Sequence, residues 1–302
     1  MTATASRAAL NPLPNIEQRV RGPLIGAMRI VLGLLWLANI EWKRPSDFGK
    51  HLKNGLYKYV AAGSDSVFPP YGWVVKHIIL KQYTLFGWVT LLLECTLAAL
   101  LLLGLFTRAA ALMGAAQAGA IGLTVLNYPN EWPWAYYLMV AMHLLLFAVV
   151  SEQAFSVDGA VKSSPTAKLR AATVIGAVAV VVGVAGLIAA RSTGFSAHQG
   201  ARLGWAKGEL KWLWFNPLSA ILTIALGLLA IVALRVRQTI FAWAAVAGFT
   251  LMALQVLLQW RYNDGKWSGG FLGGTGPNLA FWGMCALGLS RLLPSPRART
   301  TS

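Results

Sequence analysis

From Trp88 to Leu112 the chain reads WVTLLLECTLAALLLLGLFTRAAAL, an apolar stretch that carries one carboxylate, Glu94, near its middle. A hydrocarbon core about 30 Å thick takes roughly 20 helical residues, so this stretch is long enough to cross a bilayer. An ionisable side chain at that depth costs at least ~2.5 kcal/mol unless it is paired, wetted or neutralised. Any fold the chain adopts has to accommodate that residue. Glu94 is therefore either functional or locked into a buried polar contact. The stretch ends in a tight basic turn, Gly104-Leu-Phe-Thr-Arg108, and the next apolar run starts at once.

Comparable runs recur along the whole chain. Of 302 residues, 57% are hydrophobic and only 12% charged, a balance that points away from a soluble domain and to a polytopic membrane protein. The runs are too long and too continuous for barrel strands, so the spans are expected to be helical. The net charge is +16. In a soluble chain that would suggest nucleic acid. Here the basic residues flank apolar spans, where they anchor against anionic headgroups, and no nucleic-acid partner is expected. Cys95 and Cys285 each lie inside an apolar run, with no C-x-x-C pattern, so neither a cysteine-bound cluster nor a covalently attached cofactor is indicated. His51, His77, His143 and His198 are scattered, and no metal site is expected.

The fold class expected is all-α integral membrane, with about eight spans near 24–42, 85–106, 109–126, 134–150, 171–190, 217–234, 240–259 and 279–293. Residues 1–22 read as a cytoplasmic tail, 23–165 as a first four-helix membrane domain, 166–294 as a second, and 295–302 as a basic tail. The loop over 43–84 holds seven Lys or Arg residues and many aromatics. Its second half, from Tyr71, reads as an interfacial amphipathic helix leading into the second span. Long, tight and medium loops follow one another in both halves, the pattern of a parallel duplication. The glycine-rich segment Gly269 to Asn278 follows no strand and reads as a flexible exit loop. Lys and Arg outside the spans divide almost evenly between the two sides. The tight turns with Arg108 and with Arg235 and Arg237 tip the orientation towards both termini being cytoplasmic, in a bacterial plasma membrane.

Glu94, Gln117 and His143 fall near the centres of the second, third and fourth spans, and Arg29 lies about four residues, or ~6 Å, from the centre of the first. In one bundle these four would share an interior. Arg29 would pair with Glu94 and lower the cost of both charges, and His143 beside the carboxylate would exchange protons. The same set also reads as a packing device that fixes helix register. Lys43, Gln117 and Trp132 are the candidates to line a vestibule for a quinone or an anion, although basic and aromatic loops also serve as plain interfacial anchors.

Three segments carry a family resemblance. They are RIVLGLLWLANIEWK, with Arg29, Gly33 and Lys43; Glu94 followed by LLLLGLFTRAAAL, with Gly104, Thr107 and Arg108; and FSVDGAV, with Ser156 and Asp158. On these the first half, about 20–165, resembles the DoxX/DoxD family, which includes the membrane small subunit of thiosulfate:quinone oxidoreductase. The resemblance implies a four-helix bundle that passes electrons from a reduced sulfur compound or a partner enzyme to membrane quinone. Quinone would be a substrate, and a separate redox subunit would be the partner besides lipid. Glu94, His143 and Arg29 would carry the catalytic roles, and Thr107 and Arg108 would shape the turn. Typical members end after four spans, whereas this chain goes on. Two other readings stand beside the redox one: a non-enzymatic scaffold for soluble redox enzymes, and a small-solute transporter. A homo-oligomer is compatible with each.

Overall fold

The computed structural model describes residues 13–294 apart from 46, 130, 150–153, 199, 205–210, 237, 259–260, 264–265 and 269. Long apolar runs can satisfy their own backbone hydrogen bonds only as helices when no water is near. Accordingly the described chain is all-α apart from two short β ribbons. In the first half, α1 (Leu13–Ile40) is followed by α2 (Gly55–Ser66), α3 (Pro69–Val74), α4 (Tyr83–Leu103), α5 (Thr107–Thr124), α6 (Pro133–Val149) and α7 (Val157–Ser163). The second half holds α8 (Pro165–Ala189), the ribbon β1 (Ala201–Gly204) with β2 (Lys211–Phe215), α9 (Pro217–Arg235) and α10 (Thr239–Leu258). The ribbon β3 (Arg261–Asn263) with β4 (Lys266–Ser268) and finally α11 (Gly276–Leu292) close it.

Five of these helices are long and apolar enough to cross a membrane: the Arg19–Ile40 part of α1, and α4, α8, α9 and α10. The other three expected spans also form helices but fall short of that mark. α6 is apolar with 17 residues, α11 has 17, and α5 has 18 diluted by Gly, Gln and Thr. Two helices begin earlier than the apolar pattern suggested. α1 starts at Leu13, and α8 starts at Pro165, where Ser164 caps the first turn by accepting from the Ala167 N–H at 3.1 Å.

The packing follows one cycle in each half. α1 lies on α4, α4 on α5, α5 on α6, and α6 returns to α1; α8, α9, α10 and α11 repeat the same cycle. α11 also packs on α4, α7 and α1, so the two groups share a core. Gly288 of α11 fits between Leu103 of α4 and Ile175 of α8. Lipid tails are as apolar as leucine, so close backbone approach has to supply much of the association. Gly176 and Gly227 provide it between α8 and α9: a Cβ on either would stand 2.9 or 2.7 Å from the other's carbonyl oxygen.

The connections depart from expectation in three places. The amphipathic helix expected from Tyr71 to Trp88 is broken: α3 passes into a π turn, Val75–Ile79, and α4 starts afresh at Tyr83. Its one-sidedness remains, with Val75 buried and Trp73 and Ile78 exposed. The two loops of the second half contain antiparallel ribbons, with Arg202 opposite Trp214 and Tyr262 opposite Trp267. The glycine-rich loop is packed: Gly270, Leu272, Thr275 and Asn278 are all buried. Asn278 Oδ1 accepts from the backbone N–H of Trp214 at 3.0 Å, and its Nδ2 donates to the Trp214 carbonyl at 3.0 Å, tying the start of α11 to β2.

The hairpin between α4 and α5 turns on Gly104, which caps α4 in the left-handed region at φ +66°. Asp158 then accepts from the Phe106 N–H at 2.8 Å, and its own N–H donates to the Gly104 carbonyl at 3.4 Å. A Cβ at Gly104 would stand 2.5 Å from the Ser156 Cβ and 2.7 Å from Arg29 Nη1. Backbone strain and crowding therefore act together. Gly104→Ala is expected to destabilise the protein by at least about 1 kcal/mol. Unfolding by SDS titration in mixed micelles checks this, and a wild-type midpoint would contradict it.

Candidate functional site

Glu94 is fully buried, and its partner is Lys43. The Lys43 Nζ lies 2.7 Å from Glu94 Oε2, with both side chains at most 1% exposed. Asn39 Nδ2 donates to Glu94 Oε1 at 3.3 Å, and the Gln117 side chain also hydrogen-bonds the carboxylate. Lys43 donates further to the Asn39 carbonyl at 2.7 Å and stands 4.2 Å from the centre of the Trp42 ring. Trp42 Nε1 donates to Asn39 Oδ1 at 3.1 Å, which orients the amide so that its NH2 faces Glu94. Lys43 sits just past the end of α1, and its stem folds back over the last turn. Burial pulls the Lys43 ammonium below its ordinary value, while the Glu94 carboxylate opposes that shift. An acid and a base share one dry site, each with hydrogen-bond support.

Arg29 does not pair with Glu94. It donates to the carbonyls of Leu101, of Leu102 at 3.1 Å, of Phe155 at 2.9 Å and of Ala154 at 3.5 Å. The reason is direction. α1 and α4 run antiparallel, so Asn39 meets Glu94 while Arg29 meets Leu101 and Leu102, two turns further along α4. There the guanidinium finds the negative end of the helix dipole and two carbonyls of the last turn, of which that of Leu101 also accepts from the Gly104 N–H. With Gly104, Ser156 and Asp158 it forms a structural junction. Thr107 is buried at the start of α5 beside this junction, and Arg108 is exposed.

His143 is buried, but both of its ring nitrogens are engaged. Trp36 Nε1–H donates to Nε2 at 3.0 Å, and Nδ1 lies 2.7 Å from the Met139 carbonyl. Since an indole only donates and a carbonyl only accepts, the ring is the neutral Nδ1–H tautomer. Neither nitrogen is left for Glu94, so the expected proton exchange between the two has no direct contact to run through. Gly114 makes the space, because a Cβ there would overlap His143 Nε2. Trp132 lies away from the cluster, 64% exposed, with its ring 5.7 Å from that of Trp134.

Of the expected residues, the structure thus gathers Glu94, Lys43 and Gln117 into one site and moves Arg29, His143 and Trp132 elsewhere. Sequence reasoning missed Asn39, Trp36 and Trp42. A signal for the α1 face was present, since Arg29, Trp36 and Lys43 recur at intervals of seven, which places them on one helix face. Beyond Trp42 the site reaches a surface cavity. Tyr59 packs edge-on against Trp42 with centroids 5.5 Å apart and lines that cavity with Lys58, Tyr128, Pro129 and Glu131. Burial and the hydrogen-bonded Glu131 carboxylate raise the Tyr59 phenol above its ordinary value. Among the described residues no three His, Cys, Asp or Glu side chains converge as a metal site would require. Set against family models, curated proteins and solved structures, the chain matches none of them.

A buried ion pair is costly to break and cheap to remove whole. Lys43→Met is expected to cost about 3–5 kcal/mol, because Glu94 is left buried with its countercharge gone. The double variant Lys43→Met with Glu94→Leu should recover most of that loss. SDS-unfolding midpoints of the two single variants and the double variant test this. A double-variant cost equal to the sum of the two single costs would mean that the pair contributes nothing as a pair.

Proposed function

We propose that the chain is an eight-span integral membrane protein of DoxX/DoxD type, acting as the membrane subunit of a redox complex that reduces quinone. The reading rests most on the buried Lys43–Glu94 pair with Asn39 and Gln117 about it. Reducing a quinone to its quinol takes two electrons and two protons. The electrons come from a reduced sulfur compound, or from a partner enzyme that oxidises one. The protons have to be delivered where the ring sits, in or beside the bilayer. A carboxylate next to an ammonium can hold one proton between them and pass it on with little rearrangement, which is the task of a buried general acid. In this reading Glu94 is the proton donor and Lys43 its reservoir, and the pair takes a proton from water after each of the two it delivers. Asn39 and Gln117 hold the carboxylate in place, and His143 positions Trp36.

The remaining three spans are α5, α6 and α11. At 1.5 Å per residue, helices of 17 or 18 residues rise about 26–27 Å, close to a hydrocarbon core of about 27–30 Å. Each packs beside a longer helix, α5 on α4, α6 on α1 and α11 on α10. Eight spans would put both termini on one face, and the tight basic turn at Arg108 would put that face in the cytoplasm of a bacterium. Fused at the C-terminus, a fluorescent reporter that matures only in the cytoplasm should light up, and a phosphatase active only outside should stay silent. The opposite pair of results would reverse the orientation.

Glu94→Gln tests the chemistry. In membranes containing the partner enzyme it should lower quinone reduction at least tenfold while the protein remains at wild-type level by immunoblot. Undiminished turnover at that level would remove Glu94 from the proton path.

A further inference from the structure

The cavity bounded by Lys58, Tyr59, Tyr128, Pro129 and Glu131 encloses about 430 Å³. Two side chains in contact, Tyr59 and Trp42, connect it to the buried pair. Tyr59 touches Trp42 on one side and faces the cavity on the other, and Trp42 in turn covers Lys43 and holds Asn39. We infer that this cavity seats the ring of the quinone. The inference rests on the quinone reading above and gives it a place.

The lining suits such a ring. Ligand sites commonly measure about 300–1,000 Å³, with flat apolar walls and a few directed polar groups. Tyr59 and Tyr128, 4.9 Å apart and tilted by 48°, present ring faces and edges for an offset stack, and Pro129 adds an apolar wall. The polar groups are of two kinds. Lys58 offers a cation to a carbonyl oxygen that gains electron density on reduction. The Tyr59 hydroxyl donates its one proton to Glu131, so its oxygen is left as an acceptor for the hydroxyl that the second oxygen becomes on reduction. The cavity lies between the start of α2 and the Tyr128–Glu131 turn before α6, beside the ends of α1 and α5. That is where a ring can lie at the level of lipid headgroups while its isoprenoid tail reaches the hydrocarbon. The protons then have the shortest way to travel, from Glu94 and Lys43 past Asn39 and Trp42.

The full-length protein in lipid nanodiscs, treated with a short-tailed azidobenzoquinone, illuminated and mapped by mass spectrometry, tests the placement. The label should fall on Lys58–Tyr59 or Tyr128–Glu131 and be displaced by excess decylubiquinone. Tyr59→Leu and, separately, Lys58→Met at the exposed rim should each weaken decylubiquinone binding, Tyr59→Leu by roughly tenfold. Glu94→Gln should leave binding intact, because it lies behind Trp42. Specific label at another site, or unchanged affinity in both Tyr59→Leu and Lys58→Met, would overturn this placement and leave the quinone reading standing. Absence of any saturable quinone binding by the wild-type protein would overturn both.

Discussion

One ion pair in a dry interior governs how the first half is arranged. Glu94 lies in the middle of the most apolar stretch of the first half, and only a partner that comes from outside that stretch can neutralise it. Lys43 does so from just beyond the end of α1. For its amine to arrive, α1 has to run antiparallel to α4 and end level with Glu94. The next residues then turn away to form α2, and Trp42 is left as a cover. Asn39 and Gln117, from two helices, complete the carboxylate's hydrogen bonds. Removing either charge would leave the other exposed to a medium that cannot solvate it, so the pair constrains helix direction, helix length and side-chain identity together.

A second constraint works at the opposite end of the same two helices. Arg29 gathers the C-terminal carbonyls of α4 and the backbone around Phe155, and Asp158 closes the N-terminus of α5. The residues that carry the family resemblance thus separate physically into two sets. Arg29, Gly104, Ser156 and Asp158 build a joint. Lys43 and Glu94 build a site.

The helices were legible because apolar runs in this chain are long and sharply bounded, and each expected span has its helix. The start of α9 at Pro217 coincides with that of the expected sixth span, whereas α8 begins at Pro165, ahead of the expected start near 171. The partner of Glu94 was not legible, for a geometric reason. Matching residues by their distance from a span's centre treats every helix as a cylinder of known depth. That favoured Arg29 over Lys43, which appeared to belong to a loop. A long, flexible side chain reaching back over a helix end defeats that count. His143 misled for the opposite reason: its depth was right, but its two ring nitrogens were committed to an indole and a carbonyl that no spacing rule links to it. The ribbons and the packed glycine loop depend on tertiary contacts such as Asn278 with Trp214, and composition carries little trace of these.

The joint at Arg29 also bears on how the protein is made. A chain threaded into a bilayer from its N-terminus delivers α1 first, and with it a guanidinium whose acceptors all lie on later segments. Its acceptors at Leu101 and Leu102 emerge some seventy residues later, and the Phe155 carbonyl 126 residues later. Until then the first helix carries a charge without its native partners. The guanidinium has all its acceptors only when the segment after α6 has folded back onto the α4–α5 turn.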